Sequence, residues 1–467
     1  MPTPGTADHP LRVAVVGSGP AGFFVAQHLL AKPDFAVSVD LYERLLTPFG
    51  LVRFGVAPDH EEIKRVCRQF EKVAARPAFR FFGNVDVCTS VTLGELRRHY
   101  HAICFTTGAQ TDRRMGIPGE DLAGSHAATE FVAWYNGHPD YRDCRFDLSA
   151  ESAAVVGVGN VAVDVARILC RTPEELATTD IADHALEALR ESRIKRVYML
   201  GRRGPAQAAF TNAEVKELGE LAGADIRVRE DEIALDPLSQ AEVERAQDRT
   251  LNRKLEILRE LAAQPASGKD RTLEIRFLVS PVEVLGDEAG KVRGLRIVRN
   301  RLVDDGSGRL QARATDESEV LPVGLVFRSV GYHGVQLEGL PFDARRGIVP
   351  NERGRVLGEG GAPLPGLYVA GWIKRGPSGV IGTNKPDALE TVVAMLEDLA
   401  RGALPSPDEP DSARVESFVR ERQPAVVTYS DWQLIDKLET ARGEPGGRPR
   451  VKFTSTQEML AALQRNG

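Results

Sequence analysis

Two stretches of the chain share one order of apolar and polar positions. "RVAVVGSGPAGFFVAQHLL" (12–30) opens on β-branched residues, breaks at a glycine turn and continues with apolar residues at helical spacing. "AAVVGVGNVAVDVARILC" (153–170) repeats that order. Each predicts a strand, a tight turn and a helix, the opening of a separate βα unit. Three more apolar runs end in small residues: "HAICFTTGAQTD" (101–112), "GLVFRSVGYHG" (324–334) and "GLYVAGW" (366–372). They predict strands whose ends let backbone pass close to something bulky. A charged helix is expected over 171–195 and a single helix, with little apolar face until its end, over 241–262. "RFLVSPVEVLGD" and "LRIVRNRLV" predict strands of a meander. After the linker-like "PSPDEPDS", the tail "RPRVKFTSTQEMLAALQ" predicts one strand and a helix led in by Ser455 or Thr456.

The first unit has no further strands of its own after residue 112, and the runs at 324–334 and 366–372 are expected to complete it. This divides the chain into residues 1–114 with 326–467, and an inserted unit, 115–325. A length of 467 residues suits two or three domains, and 42% hydrophobic with 27% charged residues suits a globular protein. The net charge of −6 argues against general nucleic-acid binding. No apolar run approaches the roughly 18–20 residues of a membrane span, and the start lacks a secretory pattern. The five cysteines are scattered, without a C-x-x-C pair. A cytoplasmic location is expected, with no disulfide relay, zinc site or Cys-held cluster. Monomer is the default.

The glycine turns carry the chemistry. In "GSGPAG", Gly17 permits the turn, Gly19 admits a pyrophosphate, and Gly22 lets helix pack on strand. The helix N-terminus beyond them favours an anion. Glu43, ending "VDLYE", is placed to accept ribose hydroxyls of an adenosine. "GVGNVA" (157–162) keeps two glycines and has Ala162 third. Its matching strand end is "YMLGRRG", with Arg202 and Arg203 where a carboxylate is usual. Two guanidinium groups cannot accept from a 2′-hydroxyl but fit a 2′-phosphate. One dinucleotide at a Glu and one at an Arg pair point to FAD plus NADPH. "GPSGVIGTNKPDALETVVAML" (376–396) adds a glycine-rich turn before a helix, expected at the flavin's pyrimidine end. Glu214, shortly after the arginine pair, is a candidate to hold the nicotinamide carboxamide, with a helix-surface acid as the alternative.

The chain then resembles the adrenodoxin-reductase-type ferredoxin–NADP reductases, nearest to bacterial, mycobacterial-like members. The resemblance runs from about residue 12 to 395. It is carried by "GSGPAGFF", "TPFGLVRFGVAPDH", "FRFFGNV", "GVGNVAVDVARIL", "GRRGPAQAAFTNAEV", "RSVGY" and "GWIKRGPSGVIGTNK". It implies an α/β, three-layer fold of two intertwined Rossmann-like dinucleotide-binding domains. It implies FAD contacts from Gly17, Ser18, Gly19, Pro20 and Ala21, from Glu43, Leu51 and Val87, and from Trp372, Gly379, Val380 and Ile381. NADP(H) contacts are implied from Gly159, Asn160 and Val161, from Arg202, Arg203 and Glu214, and from Gly379. His60 and Asp164 are implied as a pair near the flavin, a histidine able to relay a proton beside a carboxylate.

The expected activity is hydride uptake from NADPH by FAD and single-electron delivery to a ferredoxin-type iron–sulfur protein. A flavin monooxygenase using NADPH, or a non-enzymatic NADPH-binding redox sensor, stays open as an alternative. Arg245, Arg249 and Arg253 recur every four residues and would stack on one helix face. With Lys216 and Lys254 nearby, they offer either a basic stripe for an acidic partner or a solvated face balanced by Glu242, Asp248 and Glu256.

Overall fold

The computed structural model describes residues 4–466. The first apolar run forms the buried strand Leu11–Val16, and the helix Pro20–Leu30 follows the glycine turn. This strand is inner in a seven-stranded sheet. From one edge the sheet runs Asn351–Glu352, Arg355–Leu357, Pro363–Val369, Ala102–Phe105, Leu11–Val16, Val37–Tyr42 and Phe79–Phe82. Its last five strands are parallel, with Val13 opposite Ala102 and Val16 opposite Tyr42. The run at 366–372 therefore returns to the first unit, as its apolar pattern predicts.

The run at 324–334 does not. Strand Leu325–Arg328 pairs in parallel with Ser152–Val156 and Ser125–Ala127, inside the second sheet. Apolar pattern marks a buried parallel strand without naming its neighbours. That six-stranded parallel sheet runs Ser125–Ala127, Leu325–Arg328, Ser152–Val156, Arg196–Leu200, Arg271–Arg276 and Ala224–Val228. The meander is present as three antiparallel strands, Val279–Gly286, Val292–Asp304 and Leu310–Leu321, packed by Val284, Leu295 and Ile297 against Val156 and Val326. Where the chain crosses between the two sheets, Thr111–Asp112 pairs antiparallel with Tyr332–His333.

Two helix expectations need correction. Residues 171–195 hold two short helices, Pro173–Leu176 and Asp183–Arg190. Residues 241–262 are likewise broken. Pro237–Ala246 stops at Gln247 in a left-handed conformation, and Asp248 caps Arg249–Ala262 through the Thr250 N–H at 2.8 Å. The tail holds helices Ser412–Arg422 and Tyr429–Gly443 before Thr456–Asn466, and its expected strand near 449–453 is not formed. Ser455 caps the last helix by accepting from the Glu458 N–H at 3.4 Å. Trp432 and Ile435 bury the middle helix against Phe49, Phe70 and Phe81. No helix among the described residues is long and apolar enough to cross a membrane.

Candidate functional site

The first glycine turn is a cradle of backbone. At Gly17, φ is +106° and a Cβ would lie 2.8 Å from the Thr106 carbonyl oxygen, so no side chain fits. A Cβ on Gly19 would meet nothing within 4 Å, leaving one face of the turn open. Two distant segments close on this turn. The Phe49 N–H donates to the Ser18 carbonyl at 3.0 Å, and Gly371 would carry a Cβ 2.6 Å from that of Ala21. Pro20, Ala21 and Gly22 start the helix, with Phe23 and Phe24 buried behind them. Leu51 and Val380 are 38% and 54% exposed, apolar groups free to meet a ring system, while Val87 is buried. Gly379 and Ile381 precede and open the turn that leads into helix Asn384–Ala400. The Trp372 indole donates to the Ser378 carbonyl at 3.2 Å and its ring lies 5.1 Å from that of Tyr332.

Glu43 is partly engaged within the protein. One carboxylate oxygen accepts from the Ser18 N–H and hydroxyl at 3.0 and 2.6 Å, the other from the Leu45 N–H at 3.1 Å. The second oxygen keeps a lone pair for a ribose hydroxyl. An open glycine turn at a helix N-terminus with this carboxylate beside it fits the adenosine and pyrophosphate of FAD.

The second turn repeats the arrangement. Gly159 is open on its Cβ side, Val161 packs toward the core, and the Asn160 side-chain oxygen accepts from the Thr211 N–H at 2.9 Å. Arg202 is exposed and Arg203 half-buried. The Arg202 carbonyl accepts from the Asn300 side chain at 2.8 Å, which fixes the turn. Burial, and then the neighbouring guanidinium groups of Arg202 and Arg309, push the Arg203 pKa down. Positive charges held together in this way suit a dianionic phosphate.

Between the two sheets lies a cluster of ionisable groups. His60, on the loop from the first sheet, has Nε2 2.8 Å from Glu217 and 3.9 Å from Glu214, and Nδ1 3.7 Å from Asp164. The three expected residues thus converge, and Glu217 joins them as the group with the shortest contact. Burial alone would lower the His60 pKa, but Glu217, with Asp164 and Glu214, raises it on balance. Burial, followed by the charge of Asp164, pushes Glu214 up to about 7. Glu217 is lowered by its hydrogen bond to His60. One Glu214 oxygen is buried without a hydrogen-bond partner. Reasoning from motifs missed Glu217, although Glu214 and Glu217 stand i, i+3 on helix Asn212–Leu218 and so share a face.

The expected basic stripe is not a single face. The break at Gln247 puts Arg245 on one helix and Arg249 and Arg253 on the next. Arg253 is paired with Glu256 and Glu260 at 3.0 and 2.9 Å, and Lys216 with Glu220 at 3.5 Å. Lys254 donates to the Ala208 carbonyl at 2.6 Å over the Phe210 ring. The five cysteines are unpaired, with Cys104 and Cys170 buried.

Two glycine-turn sheets facing a shared seam define a two-dinucleotide flavin oxidoreductase. Residues 11–202 match the pyridine nucleotide-disulphide oxidoreductase family. The chain is 49% identical over 459 residues to NADPH-ferredoxin reductase FprA of Mycobacterium tuberculosis, covering 97% of this chain and 98% of that protein. It is 42% identical to the mitochondrial NADPH:adrenodoxin oxidoreductase of Arabidopsis thaliana, covering 98% and 96%. The structure of M. tuberculosis FprA in complex with NADPH superposes with a TM-score of 0.92 at 48% identity, over 98% of this chain and 100% of that one. The chain belongs to the adrenodoxin-reductase-type ferredoxin reductases, FAD-dependent oxidoreductases that use NADP(H).

Proposed function

We propose that the protein moves reducing equivalents from NADPH, through bound FAD, to a small ferredoxin-type iron–sulfur protein, one electron at a time. The observation that carries this reading is the difference between the two strand ends. Glu43 suits an unphosphorylated ribose, whereas Arg202 and Arg203 suit a 2′-phosphate. FAD, when bound, supplies the conversion of a two-electron donor into single-electron delivery.

The protein's part is holding and orienting. Gly17, Gly19, Pro20, Ala21, Gly22, Glu43, Leu51 and Val87 hold FAD, with Trp372, Gly379, Val380 and Ile381 at its ring end. Gly159, Asn160, Val161, Arg202 and Arg203 hold the nicotinamide nucleotide, which Gly379 also meets. Glu214 binds the carboxamide, and His60, with Asp164 and Glu217, keeps a proton close to the reacting rings. Residues 1–114 and the segment beyond Arg328 make the FAD lobe, and the segment between makes the NADP lobe. The iron–sulfur partner is acidic in this reading and meets the exposed Arg245 and Arg249. Unpaired cysteines fit a reducing, cytoplasmic setting, and the protein acts as a monomer.

The test is coupled turnover. NADPH-dependent reduction of a purified ferredoxin, followed under argon by loss of its visible absorbance, is expected. NADPH oxidation that needs oxygen and ignores the ferredoxin would favour a monooxygenase.

A further inference from the structure

The Arg167 side chain is fully buried at the seam between the two lobes, and carboxylates from three separate segments converge on it. One terminal nitrogen lies 2.5 Å from Asp59, immediately before His60, and 3.2 Å from Glu217. The other lies 2.5 Å from Asp164. Each of these carboxylates either adjoins His60 in sequence or contacts its ring. We propose that Arg167 is a positioning residue that sets where the proton of the His60 cluster resides, acting through Asp59, Asp164 and Glu217. This rests on the proposed function, in which His60 keeps a proton beside the reacting rings.

The other groups around the cluster are few. Arg171 also reaches Asp59, at 2.5 Å, and is paired with Glu175 at 2.8 Å. Glu214 faces His60 from the helix that carries Glu217. The Tyr135 hydroxyl is buried without a hydrogen-bond partner, and its pKa is raised well above the ordinary value by burial and then by Asp164. Tyr332 is raised likewise by burial and Asp164. Lys64, on the short helix after His60, is paired with Asp180 at 2.6 Å. Arg167 is therefore the buried cation in direct contact with three of the carboxylates. Its charge acts downward on both His60 and Glu214. Without that cation the same carboxylates would draw the proton onto His60 and Glu214 and hold it to higher pH.

The test follows the His60 imidazole directly, by NMR of ¹⁵N-histidine-labelled holoprotein, with His60→Gln to assign the resonance. Arg167→Met should raise the His60 inflection by about one pH unit or more, the size expected for loss of an adjacent like charge. Arg167→Lys should restore most of it. Asp59→Asn, which removes a negative charge from the same contact, should move the inflection down. The pH profile of NADPH-driven flavin bleaching should shift in the same directions. Unshifted His60 inflections in folded Arg167→Met and Asp59→Asn would overturn the proposal. Should Arg167→Met fail to fold, Asp59→Asn decides it alone. The NMR shifts stand or fall without turnover, so failure of NADPH to bleach the wild-type flavin would fault the proposed function and not this assignment.

Discussion

Arg53 and Glu439 stand 386 residues apart in sequence and meet in a buried, doubly hydrogen-bonded pair at 2.9 and 2.6 Å. Arg53 lies between the rings of Phe54 and Trp432, at 5.2 and 5.0 Å. Glu439 also accepts from the Phe453 N–H at 2.9 Å. The tail is thereby fastened to the short helix Leu51–Phe54, beside the first glycine turn. It reaches the second lobe as well. Lys452 is 3.1 Å from Asp180, and Arg448 donates to the Thr179 carbonyl at 3.0 Å.

Breaking that pair should be costly. Glu439→Ala leaves a buried guanidinium without its carboxylate, a change that removes about 3–5 kcal/mol of stability. A large fall in Tm, with weaker FAD retention, is the expected outcome. An unchanged Tm would mean that the tail is not integral to the first lobe.

Glu214 gives a pH-dependent prediction whose sign is fixed. Its folded pKa, about 7, lies above the ordinary carboxyl value. The stabilising contribution is complete at low pH, where the carboxyl is neutral in both states, and fades as pH rises through 7. Glu214→Gln stays neutral throughout, so relative to wild type it should gain about 1–3 kcal/mol between pH 5 and pH 8. Urea titrations at the two pH values measure it. An equal difference at both would contradict a raised Glu214.

The arginine pair predicts selectivity. Replacing Arg202 or Arg203 with Ala removes a charge-assisted contact worth about 1.5–3 kcal/mol, raising the KM for NADPH roughly ten- to a hundredfold. The KM for NADH should hardly move. Steady-state kinetics with both nucleotides decide this, and parallel losses for the two would remove the 2′-phosphate assignment.

Gly371 predicts a packing effect on FAD. Its φ of +77° disfavours any side chain, and a Cβ there would lie 2.6 Å from that of Ala21. Gly371→Ala should push the Trp372 segment off the first glycine helix and cost about 1–3 kcal/mol in backbone strain alone. The purified variant should carry less FAD per chain by absorbance. A full flavin complement would show that the two segments tolerate separation.

Much of the site was legible because its parts are local. Each glycine turn follows its strand and opens its helix within one short stretch, so Gly17 and Gly159 announce themselves. Arg202 and Arg203 stand out against the carboxylate usual at that strand end. What was not legible is long-range pairing. Leu325–Arg328 has the same apolar pattern whichever sheet receives it, and only the Ser152–Val156 register assigns it to the second. Glu439 looks like any surface acid until Arg53 is brought to it. The helix break at Gln247 depended on Asp248 capping, a signal present in the sequence but outweighed by the charged periodicity around it. Glu217 and Arg167 are within reach of the sequence, since they stand i, i+3 from Glu214 and Asp164.

The most direct measurement is an anaerobic titration of the purified, FAD-loaded protein with NADPH and, separately, with NADH, read at the flavin's visible absorbance. Bleaching at far lower NADPH than NADH, reversed on adding an oxidised ferredoxin, is the predicted result. A flavin that neither nucleotide bleaches, or that both bleach equally, would contradict the account.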